Sequence, residues 1–584
     1  MDIQRTLLIG AIVLLSFMLL TEWVAFKDER RSSLEQSAER LTSNGKSQTL
    51  NTPSVRTADS SSARPDASMP ENTTENTTSD LPQDLPPAPD NTGESVAERS
   101  TAEVNEDIIQ VFTGTLQLAI DLNGGDIVEV ALPRHLADIN DPDTPFVLLE
   151  RNSRRTYVAQ SGLIGRDGID SQQRARFTSD ARRYELAPGE DTLTVDLQWQ
   201  GNNGIRVTKR YTLRRGLYLV DVKYLVENNT DQRWQANLFG QIKRDSSEAP
   251  SSDAGMGMQP FLGAAATQPD DRFTKFSFKD MAEEPFKRQL TGGWMAMIQH
   301  YFLSAWIPNP QQTHSYSTRV TTDGFNIAGF TSPAMVVDPG NTGSTAAQFY
   351  AGPKNQYRLE EISPYLELSV DYGWLWWIAQ PLFWLLTQIQ NLVVNWGLSI
   401  ILLTVVIKAA FYKLSATSYR SMANMRRVQP KMQDIRERHS DDKQKQSQAM
   451  MELYRKEKIN PLGGCLPILV QMPVFIALYW VLMESVELRH APFILWIDDL
   501  SVMDPYFVLP LMMGASMWFM QKLNPPPPDP MQAKIMQWLP VVFTFFFLWF
   551  PAGLVLYWVV NNLLSMAQQW YITRQIENAA RKPA

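Results

Sequence analysis

The chain has 584 residues, a formal net charge of −8 at pH 7 and a single cysteine, Cys465. This length predicts more than one domain, the acidic balance excludes a chain that binds nucleic acid along its whole length, and one cysteine excludes an intramolecular disulfide. The five histidines are scattered without metal-ligand spacing, and the sequence contains neither a P-loop nor an HExxH motif. We therefore predict neither a metal nor a cofactor.

The N-terminal part combines an apolar run with a long polar stretch. Residues 6–26, TLLIGAIVLLSFMLLTEWVAF, are enough at about 1.5 Å per residue to cross a ~30 Å hydrocarbon layer. No small-residue cleavage signal follows directly, so we predict an uncleaved signal anchor over residues 1–27. Residues 28–105 are rich in Ser, Thr, Asn, Glu and Pro, with almost no aromatic residues. Such a composition predicts a disordered tether, because it buries too little apolar area to offset the entropy of ordering.

Residues 106–368 show alternation of apolar and polar residues. LTVDLQWQ and IRVTKRYTLRRGLYLVDVKYLVEN are examples, and turn signals such as Asn-Gly-Gly separate the runs. This pattern predicts antiparallel strands of one large all-β sandwich. The stretch PSSDAGMGMQPFLGAAATQPDD is predicted to be a long loop. No acid, base and nucleophile stand together, which favours a binding or spacing module over an enzyme.

Apolar helices dominate the last third of the chain. Residues 369–393 are dense in tryptophan and carry glutamines, which predicts an amphipathic helix lying in the membrane interface. A core over residues 394–575 then contains five predicted spans. Their approximate limits are 394–414, 466–483, 506–520, 535–550 and 554–571.

Charge predicts the orientation of these spans. Residues 413–458 hold twelve Lys and Arg, so the positive-inside rule places this loop in the cytoplasm. The β domain then lies outside, and both the N-terminus and the tail, residues 576–584, lie inside. Within the loop, residues 415–460 have helical periodicity in two halves, and Asp441 is a candidate cap of the second. Two interpretations stay open for this hairpin: a solvated basic loop, or a docking surface for an acidic or nucleic-acid partner.

Three long stretches carry a resemblance. EKINPLGGCLPILVQMPVFIALYWVL, APFILWIDDLSVMDPYFVLPLMMG and FFFLWFPAGLVLYWVVNN, together with the basic hairpin, resemble the bacterial YidC/Oxa family of membrane protein insertases. The resemblance implies a polytopic α-helical membrane protein with six transmembrane helices, five of them forming an insertase core. It also implies a large periplasmic all-β supersandwich domain, of the sugar-mutarotase type but not an enzyme, in a protein of the bacterial inner membrane.

The function implied by this resemblance is insertion and folding of nascent inner-membrane proteins. Members act alone or with the Sec translocon, through a hydrophilic groove open to the cytoplasm, and hydrolyse no nucleotide. The implied partners are nascent membrane proteins, the Sec translocon with its accessory subunits, and membrane lipids. The ribosome and the signal recognition particle receptor are implied partners of the cytoplasmic hairpin.

Two sets of residues are candidates for contact with the substrate during insertion. The groove candidates are Lys408, Thr404, Tyr412, Gln471, Tyr557 and Asn561. The candidates for a greasy slide, along which an apolar substrate segment leaves, are Met472, Phe475, Phe546 and Trp558. Members of the family carry a basic residue at the position of Lys408, usually arginine, so lysine is a departure here, as is Trp558 where tyrosine is common.

These residues can also be interpreted without any role in insertion. Lys408 lies five residues before Lys413 and would reach the inner headgroups by snorkelling. Gln471 would serve equally well in an interhelical hydrogen bond. Large apolar side chains in a span usually pack or face lipid.

Two other classes of function are alternatives to insertion. A secondary transporter would need paired intramembrane charges or a repeat with broken helices, and the sequence offers one mid-span cation. A polysaccharide-active enzyme would need two positioned carboxylates, and the acids of the β domain form no such pattern.

Overall fold

The computed structural model describes residues 107–249, 260–268, 272–439, 442–457, 466–523 and 530–580. The predicted signal anchor, the predicted tether, Asp441 and Cys465 lie outside these residues. The chain divides into two compact units, of which residues 530–542 are the described part of the smaller. All other described residues belong to the larger unit.

Strands fill the first half of the described chain. They are β1 Ile108–Phe112, β2 Gln117–Asp121, β3 Asp126–Asp138, β4 Asp141–Arg151, β5 Thr156–Ile164, β6 Thr178–Ser179, β7 Arg183–Glu185, β8 Thr192–Gln200, β9 Ile205–Arg214, β10 Leu219–Asn228, β11 Trp234–Arg244, β12 Gly263–Ala266, β13 Thr274–Ser277, β14 Lys287–Thr291, β15 Met295–Ile298, β16 Phe302–Pro308, β17 Thr313–Val320, β18 Asn326–Val337 and β19 Thr342–Pro353.

The strands form two sheets that share one core. The ten-stranded sheet has the order β14-β17-β18-β11-β5-β4-β3-β2-β1-β7, and the nine-stranded sheet has the order β13-β12-β15-β16-β19-β10-β9-β8-β6. Strands β9 and β10 pair from Val220↔Leu213 to Asn228↔Ile205, and their buried residues alternate with the period of two that the sequence shows. The Trp306 indole of one sheet donates to the Gln241 carbonyl of the other at 3.1 Å. The predicted all-β sandwich is therefore confirmed.

One predicted loop contains a strand. Strand β12, with the sequence GAAA, is fully buried and pairs with both β13 and β15. The prediction of a loop was wrong here because alanine and glycine have low intrinsic strand preference, and the burial between two neighbours overrides it.

A buried polar cluster holds the Asn-Gly-Gly turn between β2 and β3. Gly124 and Gly125 both have positive φ, and their carbonyls accept from the Lys209 ammonium at 3.0 and 2.8 Å. Arg174 pairs with both Asp126 and Asp170 beside this ammonium. Burial lowers the pKa of Lys209 to about 7. The cluster thus replaces the water that these carbonyls lose in the core.

The described helices lie mainly in the second half of the chain. They are α1 Phe278–Glu283, α2 Gln356–Ile362, α3 Trp376–Val393, α4 Trp396–Ala410, α5 Tyr412–Arg438, α6 Lys443–Lys456, α7 Leu466–Glu484, α8 Val508–Leu523, α9 Pro530–Phe546 and α10 Ala552–Ala580.

Capping side chains fix where two of these helices begin. The Asn395 side chain accepts from the Leu398 amide at 2.8 Å at the start of α4. Asp442, rather than the predicted Asp441, caps α6 and accepts from the amides of Gln444 and Lys445. Either cap satisfies amides that would otherwise have no partner in the first turn.

Helices α5 and α6 form a hairpin with its own small apolar cluster. Val428 and Met432 of α5 are buried with Leu453 of α6. The Lys431 ammonium lies 2.6 Å from the Glu457 carboxylate just after α6. The apolar cluster holds the two helices together, because an exposed ion pair contributes little.

A second apolar core gathers residues of α3, α4, α7, α8 and α10, with Phe543 and Phe546 from the end of α9 packed against it. No single helix in the described ranges is both long and apolar enough to cross a membrane. Helices α4 and α5 meet that test as a pair, with a bend of 67° between them. The six spans expected from the sequence thus stay a prediction.

Candidate functional site

The site is built around Lys408 near the end of α4. Only 4% of this residue is exposed, although its helix is otherwise almost wholly apolar. Its ammonium donates to the Ser565 hydroxyl of α10 at 2.7 Å and lies 3.5 Å from the Gln471 side-chain oxygen of α7. The lysine therefore reaches into the space between three helices instead of extending toward Lys413, as snorkelling would require.

The electrostatics of this site are those of a cation without a counter-ion. Among the described residues, no carboxylate lies within ion-pair distance of Lys408, and its polar partners are neutral. A buried ammonium stabilised by one short hydrogen bond costs free energy, because neutral oxygens replace only part of its hydration. Charges retained inside an apolar helical core mark functional sites more often than structural ones.

Two hydroxyl groups at the site donate hydrogen bonds to backbone carbonyls of their own helices. The Thr404 hydroxyl, one turn before Lys408, is fully buried and donates to the Ile400 carbonyl of its own helix at 2.6 Å. The Ser565 hydroxyl donates to the Asn561 carbonyl at 2.6 Å, so its lone pairs are free to accept from the ammonium. The helix backbones therefore fix the orientation of both hydroxyl groups.

Aromatic side chains from α7, from α10 and from the end of α9 with the segment that follows it form the apolar wall next to this polar site. The Phe475 ring stacks on Tyr557 at 6.0 Å between centroids and meets Trp558 edge-on at 4.6 Å. Trp558 continues to Phe547 at 5.1 Å, and Phe546 packs on Phe550 at 4.9 Å. The cluster brings together three of the four predicted slide residues and one predicted groove residue.

The remaining candidate residues lie at the edge of the site around Lys408. Met472, on α7 next to Gln471, is 38% exposed, which suits a surface that an apolar segment would follow. Tyr412 begins α5 beyond the bend and is 39% exposed, with no hydrogen bond or ring contact to the other candidates in the described ranges. Asn561 is half-buried, and its described contact to the site uses its backbone carbonyl.

Sequence reasoning did not single out two residues that matter here. Ser565 holds the Lys408 ammonium, and Asn562, rather than Asn561, is buried and donates to the Ser516 hydroxyl of α8 at 2.9 Å. The spacing Asn561 to Ser565 is one helical turn, so a search for polar residues at i and i+4 on α10 would have found the serine.

The chemistry available here is binding and steering of polar groups. No group of three or more His, Cys, Asp or Glu in the described ranges is arranged to hold a metal ion. A single cation flanked by hydroxyl and amide groups attracts anionic or polar segments, and the aromatic wall beside it accepts apolar ones. The arrangement suits a ligand that is amphipathic along its length.

Comparison with known proteins identifies the family of the chain. The family model of the YidC periplasmic domain matches residues 108–385, and the model of the 60Kd inner membrane protein matches residues 388–579. The membrane protein insertase YidC of Cellvibrio japonicus (strain Ueda107) is 52% identical over 584 residues, with all of both chains covered. The YidC of Pseudomonas aeruginosa is 50% identical over 609 residues, again with full coverage of both.

A crystal structure titled as an active YidC insertase with its first transmembrane domain resolved is also similar. It is 18% identical, has a TM-score of 0.37, and covers 80% of this chain and 93% of its own. The full-length relatives and the two family models, which together span most of the sequence, establish the assignment: the chain belongs to the YidC family of membrane protein insertases.

Proposed function

We propose that this protein inserts nascent segments of inner-membrane proteins into the bilayer through the polar site around Lys408, without nucleotide hydrolysis. The observation that carries the proposal is the buried ammonium of Lys408, held by Ser565 at 2.7 Å between α4 and α10, with no carboxylate partner among the described residues. A substrate that brings its own carboxylate would supply the missing counter-ion.

Family membership implies the bacterial inner membrane and a periplasmic β domain. We propose in addition that both termini are cytoplasmic and that the polar site is the inner part of a groove open to the cytoplasm. The basic hairpin, α5 and α6, marks that side by the positive-inside rule. A nascent chain then reaches Lys408 without first crossing an apolar barrier.

The first step is entry of a polar flank, which is the polar stretch of the substrate next to its apolar segment. Moving an unsatisfied polar group into hydrocarbon costs several kcal/mol, and a site lined by hydroxyl, amide and ammonium groups lowers that cost. An acidic flank exchanges its water for the Lys408 ammonium, while Gln471 and the Ser565 hydroxyl offer neutral partners to other flanks. Lys408, Gln471 and Ser565 are thus binding residues and not catalysts.

The second step is exit of the apolar segment along Phe475, Trp558 and the exposed Met472. Burial of apolar surface in lipid supplies about 0.8 kcal/mol per CH₂, which is sufficient for a segment of some twenty residues without any other energy source. Flexible and aromatic side chains tolerate many sequences, which a general insertase and folding chaperone requires.

The proposed partners follow from the two sides of the molecule. The hairpin offers exposed basic residues on a helical pair held by Val428, Met432 and Leu453, a suitable surface for ribosomal RNA and for the signal recognition particle receptor. The Sec translocon with its accessory subunits is proposed as a partner for larger substrates, whereas small ones need only this protein and membrane lipids.

A matched substrate pair tests the role of the ammonium. Purified protein is reconstituted into liposomes and given a small single-span substrate with either Asp and Glu or Asn and Gln in its translocated flank. We expect Lys408→Arg to insert both substrates. We expect Lys408→Ala to lose about tenfold on the acidic one, since a charge-assisted hydrogen bond contributes about 1.5 kcal/mol.

The control is Lys413→Ala, which removes an exposed lysine five residues away and is expected to change neither rate. Equal activity of Lys408→Ala on both substrates would mean that the ammonium does not recognise the flank. In parallel, a photo-crosslinker at Met472 is expected to capture a ribosome-stalled nascent chain, and one at the exposed Trp384 of α3 is not.

A further inference from the structure

The β sandwich and the end of α7 share a buried ion pair. The Lys354 ammonium lies 2.7 Å from the Glu484 carboxylate, and their side chains are 3% and 4% exposed. Lys354 is the residue after β19, and Glu484 is the last residue of α7. A fully desolvated pair thus joins the periplasmic domain to the helix that carries Gln471, Met472 and Phe475.

Two hydrogen bonds flank this pair. The His300 Nε2 donates to the Met483 carbonyl at 2.9 Å, and the Asn355 side-chain amide donates to the Glu487 carboxylate at 2.9 Å. Residues 483–487 are therefore held at three points, all of them by side chains of the β domain.

The donors themselves are rigidly placed. His300 lies just before β16 and Lys354 just after β19, two strands that pair in the middle of the nine-stranded sheet. The Lys354 amide also donates to the Tyr301 carbonyl at 2.9 Å. The attachment points thus move with the sheet and not with a loop.

A further contact continues the junction beyond α7. The Arg489 guanidinium lies over Phe146 and Phe302, at 5.3 and 5.7 Å from the ring centroids, and donates to the Ala137 carbonyl at 3.3 Å. Cation–π contacts of this kind add to the ion pair and extend the junction to β3, β4 and β16.

An ion pair fixes geometry more strictly than apolar contact does. Two buried charges are expensive to desolvate, and only a close, well-aligned approach compensates for that cost, whereas apolar side chains of similar volume would stabilise the contact at least as well. What the pair adds is a defined position, because a small rotation or slide of α7 would separate the two charges.

The geometry of α7 makes such a rotation matter at the proposed site. Met472 and Phe475 lie twelve and nine residues before Glu484, which is about 18 and 14 Å along the helix. A 20° rotation about the helix axis moves a side chain at a radius of about 5 Å by roughly 2 Å. That displacement is comparable to the tolerance of the contacts with Tyr557 and Trp558.

We propose that Lys354 and Glu484 are positioning residues of the insertase: the β domain sets the rotation and depth of α7 through them and so aligns Gln471, Met472 and Phe475 for substrate. This inference rests on the proposed insertion function. It assigns to the periplasmic domain a mechanical role toward the membrane core, with no ligand of its own required.

Charge exchange tests the proposal in full-length protein. Lys354→Glu and Glu484→Lys each place two like charges in the junction, and we expect each to lower insertion in liposomes at least tenfold. The double variant restores opposite charges, and we expect it to recover to within about threefold of wild type. The matched control exchanges Arg206 and Glu227, an exposed pair at 3.1 Å within the same sheet, and is expected to have no effect.

A distance measurement reports the position of α7 independently of activity. Spin labels are placed at Val470 on α7 and at Leu217 in the β domain, both exposed, in a Cys465→Ser background. We expect one narrow distance distribution in wild type, a shift or broadening of at least about 2 Å in either single variant, and its reversal in the double variant.

Insertion activity and the spin-label distance test the proposed function and the positioning role separately. Wild-type protein that fails to insert any substrate would overturn the proposed function, and the distances would still decide whether the pair positions α7. Single variants with unchanged distances, or a double variant no better than the singles combined, would overturn the positioning role. Loss of insertion with an unchanged distance would also overturn it, because the pair would then act on stability alone.

Discussion

Replacing Lys408 by methionine is expected to stabilise the protein and to impair it. The ammonium is 4% exposed and makes one short hydrogen bond, to Ser565 at 2.7 Å. Desolvation of a buried ion costs several kcal/mol, and a hydrogen bond to a charged group returns about 1.5–3 kcal/mol. Wild type therefore carries a net penalty of about 1–3 kcal/mol at this position.

Methionine removes the charge without leaving a partner unsatisfied. Its unbranched side chain has nearly the length of lysine and adapts to irregular space. The Ser565 hydroxyl keeps its bond to the Asn561 carbonyl at 2.6 Å, and Gln471 loses only a contact at 3.5 Å. We thus expect Lys408→Met to raise the free energy of unfolding by about 1–3 kcal/mol while insertion of acidic-flanked substrates falls about tenfold.

Two assays on the same preparation check this prediction. Thermal unfolding in detergent, followed by tryptophan fluorescence, is expected to show a rise in Tm of about 2–4 °C for each kcal/mol. Insertion of acidic-flanked substrates into liposomes measures the function of the same variant. Lys413→Met, at an exposed position, serves as the control and should stay within about 0.5 kcal/mol of wild type. A Lys408→Met variant that is less stable yet inserts normally would show that the lysine has a structural role and refute the reasoning.

Three further predictions concern the periplasmic side and the core. Burial raises the pKa of the Glu487 carboxyl from its usual 4.5 to about 7, so its contribution to stability is present below about pH 4.5 and is lost as pH rises to about 7. Glu487→Gln is therefore expected to stabilise the protein at pH 8, by at most about 3 kcal/mol, and to leave it unchanged at pH 4.5, as measured by thermal unfolding at both pH values. Lys209→Met removes the ammonium from the Gly124 and Gly125 carbonyls, which keep Arg174 and Tyr211 as donors, and is expected to cost about 1–3 kcal/mol in urea unfolding. Gly397→Ala places a methyl group against the ring of Phe493, and overpacking of this kind costs about 1–3 kcal/mol.

Each of these predictions has its own contrary result. A Glu487→Gln effect of the same size at pH 4.5 and pH 8 would mean that ionisation of the carboxyl is not its cause. Unchanged urea unfolding of Lys209→Met would mean that Arg174 and Tyr211 satisfy the turn carbonyls without the ammonium. For the glycine, addition of Phe493→Leu should recover most of the loss, and a double variant as unstable as Gly397→Ala would exclude the steric explanation.

Local pattern was a good guide to the β domain. The two-residue period of β9 and β10 is visible in IRVTKRYTLRRGLYLVDVKYLVEN because each strand has one buried face. The same rule missed β12, since a run of alanines has no alternation and becomes a strand only between its neighbours. Sequence period therefore predicts a strand only where one face of the sheet is more buried than the other.

The site shows where sequence reasoning ends. Lys408 stands out because a charge in an apolar helix needs an explanation, whereas its partner Ser565 is 157 residues away and has no unusual feature of its own. Asn562 and Asn561 differ by about 100° around α10, and only packing decides which of them is buried. The Lys354–Glu484 pair, 130 residues apart, leaves no trace in either local pattern.

The measurement that tests the central claim most directly is insertion by the purified protein alone. The full-length chain is reconstituted into liposomes of inner-membrane lipid composition and supplied with a small single-span substrate, without nucleotide and without other proteins. We expect the substrate to become protease-protected across the bilayer in proportion to the protein present, and empty liposomes to show none of this protection. Absence of protein-dependent insertion at every lipid composition would contradict the account.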